Sequence, residues 1–327
     1  MSQEAVRHAI TSASRLTMIC HENPDADTLG AALALRIAGE RLGKAVEVVA
    51  ADPVPPSLAH LPHAGEVHAR PQLEPDTVVV LDGPLSRTGA VAVECADWLA
   101  RARIVNIDHH VSNDGSEAAI AWVDAGAAAT CEMVALLVPQ LGVEIDEAIA
   151  TVLTAGIVQD THTFAHPNAT PRTLRVTADL VEAGAPLSAI HRAIYADKPF
   201  STLALWGRIL AGAMERASGR IVHASMTLAM LAETGAPAVA SEGFIDLLAS
   251  TKAGDITVLF KEAEPSVVRV SVRTSARADA VAITAAFGGG GHARAAGCTI
   301  DTPLREAIDR VLDECDRELE RADARGR

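Results

Sequence analysis

The sequence predicts an α/β protein, a largely parallel sheet flanked by helices, followed by a smaller C-terminal α+β domain, bilobal with a cleft between the lobes. Three observations carry this. Short apolar runs alternate with helical stretches through the first half of the 327 residues, as parallel strands with crossover helices do. The alternation breaks around residues 196–200. Beyond the break, strand patterns follow one another and close on one long helical stretch.

The run Leu-Thr-Met-Ile-Cys at 16–20 reads as a buried strand, and 28–42 as a helix with Thr28 as its N-cap. Strand 46–50 leads into a loop rich in proline (Pro53, Pro55, Pro56). Strand 78–81, a helical stretch over 90–100 and strand 104–107 come next, and helices dominate 128–195. After the break, strands are expected at 220–227, 255–262 and 266–274, a glycine-rich turn at 288–291 and a final helix from 303. The resulting division is 1–195 for the first domain, 196–205 for a linker and 206–327 for the second domain.

Composition narrows the function classes. Hydrophobic residues make up 49% and charged residues 21%, which excludes a disordered or collagenous chain. No apolar run is long enough to span a membrane, and none forms a targeting core at the start. The five cysteines are scattered and never form Cys-x-x-Cys, so a reduced cytoplasm is the expected compartment. The net charge is −14, and residues 1–200 hold 13 Lys and Arg against 25 Asp and Glu. Proteins that track long nucleic acid carry a basic face and aromatic platforms. This chain is acidic and has nine aromatic residues, so long strands are not the expected ligand.

The acid and histidine are placed, not spread. His21, Asp25 and Asp27 follow the first strand; Asp82 ends strand 78–81; Asp108, His109 and His110 end strand 104–107; Asp160 ends a helical run. Open α/β sheets bind ligands at the carboxyl ends of their strands. Each piece alone has an ordinary explanation: an Asp after a strand usually forms a turn or cap. Their repetition does not, because carboxylates gathered at one place repel one another and need cations between them. Oxygen-rich sites with a few imidazoles suit Mn2+, Mg2+ or a similar divalent ion. His162 and His166 read as loop residues, and Cys20 as a buried strand residue.

The ordered set resembles the DHH phosphoesterases. The matching motifs are His21-x-Asn23-Pro24-Asp25-x-Asp27-x-x-Gly30, Asp82, Asp108-His109-His110 and Asp160. Phe287-Gly-Gly-Gly-Gly-His292-Ala-Arg-Ala-Ala-Gly297 is similar to the glycine-rich motif of the C-terminal DHH-associated domain. Size and layout are most similar to the bacterial group of bifunctional oligoribonucleases and 3′-phosphoadenosine 5′-phosphate phosphatases, some of which hydrolyse cyclic di-AMP or its linear product. The resemblance implies two divalent ions, Mn2+ first, with Mg2+ and Co2+ as alternatives. His21, Asp25 and Asp82 would hold one; Asp27, Asp82, His109 and Asp160 would hold the other, with Asp82 bridging.

Asp108 would then orient a ligand imidazole, and His110 would sit near the scissile phosphate as an electrostatic or proton-handling residue. Arg273, Gly289, Gly290, Gly291 and His292 would bind substrate, with Arg269 and Arg294 having a weaker claim. Relatives often carry an Arg after the Phe that follows the fourth motif, where this chain has Ala165. The implied substrates are short RNA oligonucleotides cut to 5′-mononucleotides, 3′-phosphoadenosine 5′-phosphate, and linear or cyclic di-AMP, with a homodimer as the implied assembly. The alternatives are a RecJ-type single-strand exonuclease or another phosphohydrolase of the family and, outside enzymes, a non-catalytic nucleotide sensor.

Overall fold

The computed structural model describes residues 3–252 and 254–325. It divides into two compact units, Met1–Asp197 and Lys198–Arg327.

The first unit is built on six strands: β1 (Arg15–Ile19), β2 (Ala45–Val49), β3 (Val67–His68), β4 (Thr77–Leu81), β5 (Arg103–Asp108) and β6 (Ile120–Val123). All pair in parallel, in the order β3-β2-β1-β4-β5-β6. The chain therefore winds outward from β1 in one direction, then returns and winds the other way from β4. At such a reversal the connections leave on opposite faces, opening a crevice at the carboxyl ends of the two central strands.

Among the described residues, eight α-helices belong to this unit: α1 (Gln3–Ser12), α2 (Ala26–Arg41), α3 (Ala90–Glu94), α4 (Ala96–Leu99), α5 (Thr130–Leu137), α6 (Glu147–Asp160), α7 (Pro171–Glu182) and α8 (Leu187–His191). One face of the sheet packs under α2, α5 and α6, with Leu16, Met18, Val79, Leu81, Val105 and Ile107 in that core. The other face carries Ile19, Val49, Val78 and Val80, covered by Val91, Cys95 and Leu99 of the α3–α4 segment. Because both faces are covered, the strands are continuous apolar runs. Every residue of α2 from Ala26 to Gly39 is buried. It is lined with alanine and glycine, which let its neighbours approach closely. Gly30 shows how closely: a β-carbon there would lie 2.3 Å from the Val152 carbonyl oxygen of α6.

The second unit begins with α9 (Phe200–Ala211), so residues 200–205, expected to be linker, are helix. Pro199 stops the preceding segment and sits just before the first helical turn, where its missing N–H costs nothing. The sheet comprises β7 (Met214–Arg216), β8 (Ile221–Met226), β9 (Ile256–Glu264), β10 (Val267–Thr274), β11 (Gly290–His292) and β12 (Ala295–Ile300). Its order is β11-β12-β10-β9-β8-β7, antiparallel except for the β8–β9 pair. Val268, Val270 and Val272 of β10 pack with α12 (Ala280–Thr284) and α13 (Leu304–Arg325). Leu259 of β9 packs on the opposite side, with Leu205 and Ile209 of α9 and Phe244. Helices α10 (Leu228–Thr234) and α11 (Phe244–Ala249) complete that side.

The stretch 288–291 is not simply a turn. Gly290 and Gly291 open the edge strand β11, and the chain reverses at Ala293 and Arg294. Glycine is required there by packing: a β-carbon on Gly289 would lie 2.3 Å from the Gly297 carbonyl oxygen, and Gly291 has φ +142°.

Candidate metal centre

The reversal between β1 and β4 is where the acid gathers. His21 lies two residues past β1, Asp82 directly follows β4, Asp108 ends β5, and Asp160 ends α6. Asp25 is the N-cap of α2, its Oδ1 accepting the amides of Asp27 and Thr28 at 3.0 and 3.1 Å. This corrects the expectation for Thr28, because the helix starts at Ala26. The Thr28 hydroxyl instead donates to the Leu81 carbonyl at 3.1 Å and ties α2 to β4. Gln159, beside Asp160, accepts the Ala26 amide at 2.7 Å, which joins the end of α6 to the start of α2.

These elements bring the six candidate ligands together. His21, Asp25 and Asp82 place ligand atoms within 4.8 Å of one another; so do Asp27, His109 and Asp160, and so do Asp82, His109 and His110. Asp82 connects the sets. Its Oδ2 is 3.4 Å from His21 Nε2, and its Oδ1 is 3.4 Å from His109 Nε2. His109 Nε2 also lies 3.0 Å from Asp160 and 3.9 Å from Asp27.

The imidazoles are held in one tautomer. His21 Nδ1 is 2.8 Å from the Glu22 carbonyl and His109 Nδ1 is 3.3 Å from the Ala127 carbonyl. A carbonyl only accepts, so each Nδ1 carries the proton and each Nε2 presents its lone pair to the carboxylates when the ring is neutral. Asp108 was expected to orient a ligand imidazole, but it holds His110: its Oδ1 is 2.8 Å from His110 Nδ1 and accepts the His110 amide at 3.1 Å. The spacing of two residues favours this, since the carboxylate folds back onto the chain as an Asx turn. Asn113 donates to the other Asp108 oxygen at 2.6 Å.

Charges crowd here out of water. Asp27 is fully buried and Asp82 is 2% exposed. Burial, then the charges of Asp82 and Asp160, push the Asp27 carboxyl well above the usual carboxylate range. Burial likewise raises Asp160 to about 6, with Asp82 and Asp25 adding to the effect against His109. Although burial opposes it, the carboxylates of Asp25 and Asp82 hold His21 up at about 10. Burial also opposes the rise in His109, which Asp160 and Asp82 carry to about 12. Asp82 goes the other way: burial would raise it, but His109 and His21 hold it low. These opposed shifts reflect a crowding of buried carboxylates that cations would relieve.

A divalent ion fits this donor set. The donors are carboxylate oxygens and imidazole nitrogens, and His109 Nε2 is buried without a hydrogen bond of acceptable geometry. The neighbouring thiols do not compete: burial pushes Cys20 up to about 12, and burial followed by the charge of Asp27 raises Cys131 well above its ordinary value.

Residues 15–157 match the model of the DHH family, N-terminal domain, and residues 220–321 match the DHHA1 domain. Over 92% of its length the chain is 34% identical to the bifunctional oligoribonuclease and PAP phosphatase NrnA of Thermus thermophilus, covering 89% of that protein. The chain belongs to the DHH family. Family membership makes it a metal-dependent phosphoesterase. Its fold is shared with an exopolyphosphatase-related protein from Bacteroides fragilis, at TM-score 0.89 and 21% identity over 98% of this chain and 97% of that one. It is also shared with RecJ from Thermus thermophilus in complex with Mn2+, at TM-score 0.53 and 14% identity, where 96% of this chain covers 54% of RecJ.

The substrate-binding candidates of this DHH protein lie in its second unit. Register aligns Thr257, Arg273, Ala295 and His292 in one row across β9, β10, β12 and β11. Arg273 Nε donates to Asp246 of α11 at 2.9 Å, in a pair that stays partly exposed. Gly289 and Gly291 answer to strand packing, whereas a β-carbon on Gly290 would meet no atom within 4 Å. That leaves Gly290 as the open backbone of the three.

Sequence reasoning missed the residues behind the ligands. Thr130 and Cys131 begin α5 and donate their amides to Asp27 Oδ2 and Oδ1, at 2.6 and 2.8 Å. The Thr130 hydroxyl donates to Asp82 Oδ1 at 2.9 Å. Glu132, fully buried, accepts the Ala128 amide at 3.1 Å, the Thr173 hydroxyl at 2.7 Å and the guanidinium of Arg172. The only signal was a polar Thr-Cys-Glu triplet closing an alanine run, which by itself says nothing of chemistry.

Proposed function

We propose that the chain is a two-metal phosphodiesterase that hydrolyses short oligoribonucleotides to 5′-mononucleotides, and acts on 3′-phosphoadenosine 5′-phosphate and on linear or cyclic di-AMP. The observation that carries this is Asp82, whose two oxygens face different sets of histidine and aspartate. His21, Asp25 and Asp82 would hold one ion, and Asp27, Asp82, His109 and Asp160 the other; Mn2+ is the ion we favour. Such a pair activates water and offsets the charge of the phosphoryl group.

The remaining residues supply binding and proton handling. Asp108 raises the His110 pKa against the effect of burial, which favours the charged form of the ring, the form that would stabilise phosphate charge and protonate the leaving oxygen. Arg273 offers a guanidinium for a phosphate away from the scissile bond, and Gly290, on β11 two strands away, offers open backbone. The activities in the name of the Thermus thermophilus relative, oligoribonuclease and PAP phosphatase, agree with this substrate class. The five cysteines form no disulfide, in keeping with a reducing cytoplasm.

The test is kcat/KM in Mn2+ on a length series from two to about 24 nucleotides, the upper length exceeding the ≈ 4–16 nucleotide footprint of a strand-tracking fold. 3′-Phosphoadenosine 5′-phosphate and cyclic di-AMP are assayed beside it. We expect activity to fall steeply beyond a few nucleotides, because the acidic first unit repels further phosphates. Equal rates on the longest strand would favour a RecJ-type exonuclease; no turnover on any substrate would favour a sensor.

A further inference from the structure

We infer that Thr130 is a positioning residue: its hydroxyl sets the rotation of the Asp82 carboxylate and thereby decides whether the two ligand sets can take up cations as a pair. The inference deepens the two-metal reading and rests on it.

Asp82 needs such a partner. It sits at φ +62°, a left-handed conformation that only a few non-glycine residues tolerate. That backbone aims the side chain but leaves the carboxylate free to turn about its last bond. The flanking Gly83 offers no side chain to stop it. Among the described residues, the neutral donor on the carboxylate is the Thr130 hydroxyl, 2.9 Å from Oδ1. The other groups near it are the imidazoles, His21 on Oδ2 and His109 and His110 on Oδ1, at 3.4 to 3.6 Å. An ion held by His21 and His109 would occupy their Nε2 atoms, so neither ring could then orient Asp82 by a hydrogen bond, and His110 Nδ1 is already engaged by Asp108. The Thr130 bond would remain. A carboxylate oxygen has two lone-pair sites, so Oδ1 can accept this hydroxyl and still bind an ion.

The hydroxyl is itself fixed. Thr130 is fully buried, and its branched side chain has few rotamers. Its backbone is anchored from two sides: the Thr130 amide bonds Asp27, and Glu132 bonds the Ala128 amide while reaching Arg172 and Thr173 of α7. One residue therefore fixes Asp27 through its backbone and Asp82 through its side chain. Substituting the side chain separates the two functions.

The experiment uses the full chain as wild type, Thr130→Val and Thr130→Ser. Mn2+ binding is followed by calorimetry, the coupling of the bound ions by electron paramagnetic resonance, and folding by thermal unfolding in EDTA. Valine keeps the shape and the amide and removes the hydroxyl; serine restores it. We expect wild type to bind two Mn2+ per chain with a coupled-pair signal. Thr130→Val should fold normally and bind one of the two about 10- to 100-fold more weakly, the usual effect of removing a partner that orients a ligand. Its coupled signal should be lost, with kcat lowered and KM little changed. Thr130→Ser should recover the pair. Wild-type affinity and coupling in Thr130→Val would overturn the positioning role and leave the two-metal reading standing. A wild-type chain that binds fewer than two ions would overturn that reading itself. If Thr130→Val fails to fold, Thr130→Ser decides: weak binding despite normal folding would overturn the assignment to the hydroxyl.

Discussion

Gly156 of α6 lies directly against Asp27 of α2. A β-carbon on Gly156 would stand 2.7 Å from the Asp27 carboxylate and 2.4 Å from the sulfur of Cys131. Three helices meet at this point, and the absence of a side chain lets the carboxylate sit between them. Gly156→Ala should therefore cost about 1–3 kcal/mol, the range for overfilling a packed interior, and should also weaken Mn2+ binding by displacing Asp27. Denaturant unfolding in EDTA and a metal titration check the two effects. An unchanged affinity would show that Asp27 can shift without consequence.

Asp82→Asn isolates the charge of the Asp82 carboxylate, because asparagine accepts the left-handed backbone that alanine would strain. Hydrolysis should fall on the order of 100- to 1,000-fold or more, the scale of losing a preorganised electrostatic group. In EDTA the variant should be less stable than wild type, since the Asp82 charge that His109 and His21 favour in the metal-free site is lost. Near-normal turnover in saturating Mn2+ would remove Asp82 from the centre of the site.

Arg273→Ala should lower kcat/KM about 10- to 150-fold on substrates with a phosphate far from the scissile bond, which corresponds to about 1.5–3 kcal/mol for a charge-assisted contact. His292→Ala should act in the same direction. The loss should be smaller on bis-p-nitrophenyl phosphate, which has no second phosphate to grip. Mn2+ affinity should not move. An equal loss on both substrate types would deny these residues a part in choosing the substrate.

His223 of β8 should make the second unit sensitive to acid. Burial, then the positive charge of Arg216, depresses its pKa. The unfolded chain, with an ordinary histidine near about 6.5, therefore binds a proton that the folded chain resists. Stability from this group is present above that value and is lost as pH falls below it. The melting temperature of wild type should decline between pH 7.5 and 5.5 more steeply than that of His223→Gln. Parallel slopes would place the acid sensitivity elsewhere.

The clustering of the candidate ligands was legible because most of them stand at the end of an element whose apolar run is unmistakable. Asp82 after Val-Val-Val-Leu and Asp108 after Ile-Val-Asn-Ile need only the rule that chemistry sits at strand ends. What escaped depends on contacts between distant segments. Asp25 takes the cap instead of Thr28 because Gln159, more than 130 residues away, receives the Ala26 amide and lets the helix begin earlier. The glycines at 289 and 291 serve the pairing of β11 with β12, which no local pattern announces. Thr130 is an ordinary threonine until α5 is set against α2. The strand order was hidden for the same reason, and it is what turns separate motifs into one centre.

The imidazoles of His21 and His109 lean on carbonyls of the main chain, at Glu22 and Ala127. Every amino acid carries that carbonyl, so positions 22 and 127 can drift in evolution without releasing either ring. His110 has no such insurance, because its ring is held by the side chain of Asp108. A single base change in the codon for Asp108 can remove the acceptor that holds His110. Random mutation should therefore yield, from this one scaffold, chains that still gather cations but have lost control of one imidazole. Such variants would be raw material for binding proteins descended from a hydrolase.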